Sequence, residues 1–184
     1  MKNNWIRIIA VLAIVAANIG LDQWTKAWAK KELQYQMSQS FWDNFFRLTY
    51  VENEGAFLSL GSDLSHNWRT TLLHWFPAVV LVIMFFYTLF SRELNKWQTI
   101  GMSFILGGGI SNIYDRIAFG KVTDFMNMGI GDLRTGVFNF ADVSIMLGLA
   151  IMLPYAFSKD KKEDAPATPT TPEEADTRKH EGEA

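Results

Sequence analysis

Four apolar blocks punctuate this chain, and clusters of Asp, Asn and Arg stand at their ends. Apolar runs of this length favour helices, because hydrocarbon offers a backbone N–H or C=O no partner outside its own segment. The blocks predict membrane spans at about 6–28, 71–90, 99–116 and 140–157. The expected fold is membrane all-α, with four transmembrane helices and a small β-containing extracytoplasmic platform between helices 1 and 2. The first block opens with Lys2 and Arg7 and passes Ala16-Ala17, as a secretory signal would. Three further blocks after it argue for a retained span, and Trp24 and Trp28 suit a headgroup belt. Pro77 is tolerated in a first helical turn, or kinks the second span if it lies deeper. Gly101, Gly107, Gly108 and Gly109 in the third span either let helices approach closely or leave backbone open to a substrate.

The connection over 22–69 is too long for a simple turn and predicts a small platform on the bilayer surface. Leu48 to Val51 has the alternation of a short strand, and Gly55 and Gly61 mark turns. The aromatic run Phe41–Phe46 is expected at headgroup level, where it would clamp over a substrate. Phe119 to Val137 reads as a second long connection. Residues 1–158 form one membrane domain on this reading. Residues 159–184, rich in Pro, Thr, Glu and Ala, form a disordered cytoplasmic tail.

Basic and acidic residues number 17 and 19, so no strong field recruits nucleic acid. The absence of cysteine excludes disulfides, a thiol nucleophile and thiolate metal sites. Four spans put both termini on one side and both long connections on the other. The short Arg92/Lys96 link and the Lys159–Lys162 cluster favour a cytoplasmic side for the termini.

Polar residues at membrane depth are costly and mark function. The richest stretch runs from Gly107 to Asp142 and carries Asn112, Asp115, Arg116, Asp124, Asn139 and Asp142. Two carboxyls held a few ångströms apart cannot both ionise, so one keeps a proton. The ionised partner can activate water, and the protonated one can serve the leaving amine. Asp124 and Asp142 adjoin apolar blocks on opposite arms of one connection and are the candidate pair. Each has a plainer reading: Asp142 as a helix N-cap, Asp124 as a loop residue. Asp115 and Arg116 form an ion pair, or Arg116 holds a substrate carbonyl or a phosphate-like headgroup. Asn112 and Asn139 either satisfy exposed backbone groups or orient the carboxyls. Asp22 and Lys26, four apart, pair on one helix face. Asn53 begins a turn or points at the site.

Other chemistries fit less well. His66, His74 and His180 lack ligand spacing, so no metal or cofactor is expected. A Ser–Lys dyad would pair Lys26 with Ser59 or Ser111. A proton-coupled carrier would spread its ionisable groups through the spans, whereas these gather on one side. A non-catalytic assembly factor is the third reading.

Five motifs together resemble the lipoprotein signal peptidases, also called signal peptidase II, a family of bacterial membrane aspartyl proteases. They are Leu21-Asp22-Gln23-x-Thr25-Lys26, Asn53-x-Gly55-Ala56-Phe57, Gly108-Gly109-x-x-Asn112-x-x-Asp115-Arg116, Gly120-x-Val122-x-Asp124-Phe125 and Phe138-Asn139-x-Ala141-Asp142. Thr123 stands where the family usually has a second valine. The resemblance implies that Asp124 and Asp142 are the catalytic dyad. It implies that Asn53, Gly55, Asn112, Arg116 and Asn139 line the substrate pocket, with Asp22, Lys26 and Asp115 supporting the frame. It further implies a diacylglyceryl-modified prolipoprotein substrate, cut before its lipidated cysteine, and inhibition by globomycin. The protein is then a multi-pass monomer of the bacterial inner membrane, in contact with membrane lipid, with its site on the extracytoplasmic side.

Overall fold

The computed structural model describes residues 2–54 and 71–157. Helix α1 spans Lys2–Leu33 and is followed by strands β1, Gln39–Phe41, and β2, Phe46–Asn53. A π-helical turn, Thr71–Trp75, leads into α2, Phe76–Phe90, with Pro77 in its first turn, where no backbone donor is lost. Helix α3, Lys96–Phe119, then gives way to strands β3, Val122–Ile130, and β4, Leu133–Arg134. Helix α4, Phe140–Ala156, ends the described chain.

The helical bundle turns apolar side chains outward. Trp5, Ile9, Trp75, Ile83, Phe86 and Leu153 are exposed, while Asn18, Asp22, Lys26, Ser103, Ser111 and Asn112 are buried. That distribution suits lipid outside and a polar seam inside. Among the described residues α1 alone is both long and apolar enough to cross a membrane; α2 and α4 are apolar but shorter, at 15 and 17 residues.

Close helix contact follows from the glycines. A Cβ on Gly108 would collide with the Ala141 carbonyl, and one on Gly101 would stand 3.0 Å from the Gly148 carbonyl. The α3 glycines therefore serve packing. Helix α3 stops at Gly120, whose φ of 73° only glycine adopts without strain.

The sheet is antiparallel with order β1-β2-β3-β4. Two of its strands thus come from the second connection, Phe119–Val137, which corrects the expectation of a platform confined to the first. The reason is pairing: β3 buries Val122, Asp124 and Phe125 and needs β2 as its neighbour. The sheet packs on the last turns of α1, where Ala29, Leu33 and Phe125 form a core joined by Leu48, Tyr50 and Met126. Helix α1, at 32 residues, is about 48 Å long, more than the roughly 30 Å of a hydrocarbon core, and the sheet packs on its C-terminal end.

A β-bulge decides what the sheet presents. Leu48 pairs with Met126, but Val51 pairs with Asp124, so β2 holds one extra residue between them. Side chains alternate faces, so this extra residue moves Asn53 onto the face of Asp124. The aromatic turn is elsewhere. Trp42, Asp43 and Asn44 all take left-handed φ, and Arg134 fastens the turn by donating to the Asn44 carbonyl at 2.7 Å. That turn lies beyond Phe46, about 23 Å along β2 from Asn53.

Candidate active site

The site forms where β3 meets the start of α4. Phe138 joins the two by pairing with Met126, its N–H donating at 2.8 Å and its carbonyl accepting at 2.9 Å. Asn139 follows as N-cap of α4 and forms a capping box with Asp142, three residues on. The Asn139 side chain accepts from the Asp142 N–H at 3.0 Å, and the Asp142 Oδ2 accepts from the Asn139 N–H at 3.0 Å. Asp142 is therefore the third residue of the helix, and the cap position belongs to Asn139.

Asn139 also reaches the other carboxylate, its Nδ2 donating to Asp124 Oδ1 at 2.7 Å. Asn53 donates to Asp124 Oδ2 at 3.2 Å. Asn112, on α3, donates to Asp142 Oδ1 at 2.9 Å. Asp124 is 4% exposed, and burial pushes its carboxyl up to about 6, with the Asp142 charge acting in the same direction. The hydrogen bonds from Asn53 and Asn139 and the charge of Lys26 oppose that rise.

Beneath the pair lies a buried ionic frame. Lys26 Nζ sits 2.6 Å from Asp22 and 2.6 Å from Asp115, and donates to Asn112 Oδ1 at 2.8 Å. The Asp22–Lys26 pair expected on one helix face is present. The Asp115–Arg116 pair is not formed, because adjacent helical residues point about 100° apart and Asp115 turns inward to α1. Asp22 Oδ1 accepts the Ala141 N–H at 2.8 Å, which satisfies an orphan donor at the start of α4. Ser111, offered as the nucleophile of a Ser–Lys dyad, instead donates to Asp22 at 2.7 Å. Sequence reasoning gave no role to Gln23, which donates to Asp115 at 2.8 Å. It also passed over Asn18, which accepts from Ser144 at 2.6 Å. The signal was available: Asn18, Asp22 and Lys26 recur every four residues and so share one face of α1.

An open groove of about 430 Å3 lies between α2, α3 and α4, lined by Asn112, Arg116 and Asp142 among apolar residues such as Val80 and Ile145. Arg116 Nε is buried without a hydrogen-bond partner among the described residues. Such a donor suits a ligand carbonyl or other acceptor. Gly55 lies outside the described residues, as do Ser59 and the segment 159–184.

Residues 14–158 match the family model described as Signal peptidase (SPase) II. This chain belongs to the signal peptidase II family. The lipoprotein signal peptidase of Gloeobacter violaceus is 38% identical over 173 residues, spanning 92% of this chain and 91% of that protein. That of Acaryochloris marina is 33% identical over 159 residues, spanning 83% and 91%. A solved bacterial membrane enzyme shares the fold at a TM-score of 0.73 and 21% identity, covering 88% of this chain and 96% of that one.

Proposed function

We propose that this member of the signal peptidase II family is a membrane aspartyl endopeptidase that removes the signal peptide from diacylglyceryl-modified prolipoproteins, cutting before the lipidated cysteine. The observation that carries the reading is the joint hold of Asn139 on Asp124 and Asp142. A strand-borne and a helix-borne acid share one asparagine, close enough for the Asp142 charge to act on the Asp124 carboxyl.

Water bound between the carboxyls loses a proton to the ionised one as its oxygen attacks the scissile carbonyl carbon. The protonated carboxyl supplies the proton that the departing amine needs as the C–N bond breaks. Asn112, Asn139 and Asn53 hold the acids in place, and Arg116 offers its unpartnered Nε to a substrate carbonyl. Asp22, Lys26 and Asp115 brace the frame. The apolar walls of the groove leave acyl chains in lipid while the peptide reaches the acids.

The topology belongs to the same proposal. Helices α1 to α4 span the inner membrane, the termini are cytoplasmic, and the sheet rests on the outer surface. Residues 1–158 form one catalytic domain, which acts as a monomer and binds globomycin in the groove.

Purified full-length protein in detergent tests the reading with a diacylated lipobox peptide. Cleavage before the modified cysteine, undiminished by chelators and thiol blockers, is expected. Loss of cleavage on chelation, or cleavage surviving substitution of either aspartate, would overturn it.

A further inference from the structure

We propose that Lys26 is a positioning residue that fixes the orientation of Asn112, and through it seats the dyad's shared proton on Asp124 while Asp142 stays ionised. The inference rests on the aspartyl peptidase reading above and assigns a role to each acid within it.

An ammonium group only donates hydrogen bonds. Lys26 Nζ stands 2.8 Å from one end of the Asn112 amide, so that end is the oxygen. Asn139 Nδ2 donates to the same oxygen at 3.1 Å. The amide nitrogen of Asn112 must then face the other way, and it meets Asp142 Oδ1 at 2.9 Å. A rotated Asn112 would present its oxygen to a carboxylate, setting acceptor against acceptor. Lys26 forbids that rotation, and Asp22 and Asp115 hold Lys26 where it is.

The two acids consequently meet unequal surroundings. Asp142 accepts the Asn139 backbone N–H in the first turn of α4, where the helix dipole favours negative charge. It also accepts from an amide polarised by an ammonium ion, and it lines one groove with Arg116. Asp124 lies on a strand, nearly inaccessible, and accepts from the neutral amides of Asn53 and Asn139. The charged groups facing the pair are Asp22 and Lys26 on α1 and Asp115 and Arg116 on α3. Two acids offset two bases there, so the directed chain Lys26–Asn112–Asp142 decides which carboxyl keeps the proton.

The test is the pH profile of the full-length enzyme cleaving a diacylated peptide. Lys26→Met is expected to lower kcat about tenfold with KM unchanged, and to move the acid limb of kcat/KM to higher pH, because the base is then harder to form. Lys26→Arg, which also only donates, is expected to return the limb to its wild-type position. Lys26→Met leaves Asp22 and Asp115 without their shared cation. The triple variant Asp22→Asn/Lys26→Met/Asp115→Asn removes those charges as well and is expected to show the same displaced limb in a folded protein. Carboxyl-carbon NMR of the wild type reads the proton directly, with Asp124 expected to lose it after Asp142. Unmoved limbs, or a proton found on Asp142, would overturn the assignment although the enzyme still cleaves. A wild type that does not cleave, or an Asp124→Asn variant that does, instead removes the aspartyl reading and this inference with it.

Discussion

Asn139 donates its side-chain amide to Asp124 Oδ1 at 2.7 Å. Its backbone N–H holds Asp142 Oδ2 at 3.0 Å, so one residue sets the spacing of both acids. Asp124→Asn and Asp142→Asn are each expected to lower kcat by about three orders of magnitude, the scale of lost acid–base catalysis. Circular dichroism and thermal melting should still report a folded protein. More than a tenth of wild-type cleavage in either variant would remove that residue from the chemistry.

Burial raises the Asp124 carboxyl to about 6. An acid that must carry a proton loses function as pH rises through that value, so the basic limb of kcat/KM is expected near 6 in the free enzyme. Substrate excludes more water, and the corresponding limb of kcat should lie higher. Stability runs the same way: the folded state holds this proton more tightly than the unfolded chain, so its contribution is complete below about 4 and lost as pH rises towards 6. Asp124→Asn should therefore gain in Tm over the wild type as pH increases across that window. A Tm difference independent of pH would contradict the buried acid.

The bulge between Leu48 and Val51 brings Asn53 to Asp124. Asn53 opposes the rise of the Asp124 carboxyl, so Asn53→Ala is expected to move the basic limb to higher pH and to lower kcat about tenfold. Deleting Tyr50 removes the extra residue and turns Asn53 to the opposite face. It should reproduce the Asn53→Ala profile, and a deletion variant with the wild-type profile would show that the bulge is not what aims Asn53.

Gly108 meets the Ala141 carbonyl with no room for a methyl group. Gly108→Ala must push α3 from α4, which displaces Asn112, one turn on, from Asp142. Destabilisation of about 1–3 kcal/mol is expected, with cleavage reduced at least about tenfold. Gly20→Ala is the control, since its Cβ would meet nothing within 4 Å. Equal activity in the two variants would dissociate helix spacing from the site.

Much of this was legible in the sequence where one residue type had one physical use. The apolar blocks marked the helices, Asp22 and Lys26 announced their pair, and Leu48 to Val51 marked β2. The second half of the sheet was hidden, because Val122 to Ile130 carries motif residues and pairs along most of its length with a strand about 70 to 80 residues away, only its last two residues meeting the neighbouring β4. Asp115 was assigned to its neighbour Arg116 because sequence adjacency stood in for direction. Its actual partner, Lys26, is 89 residues distant. Asn139 drew two competing roles, cap and orienter, and it performs both.

The capping box of α4 has a consequence for turnover. The Asp142 oxygen that accepts the Asn139 N–H belongs to the carboxylate proposed to strip water of its proton. Once that proton arrives, the grip on the opening residue slackens and is restored only when the proton departs. Bond cleavage and the anchoring of a helix then draw on a single side chain, and each catalytic cycle tugs briefly at the architecture that made it possible.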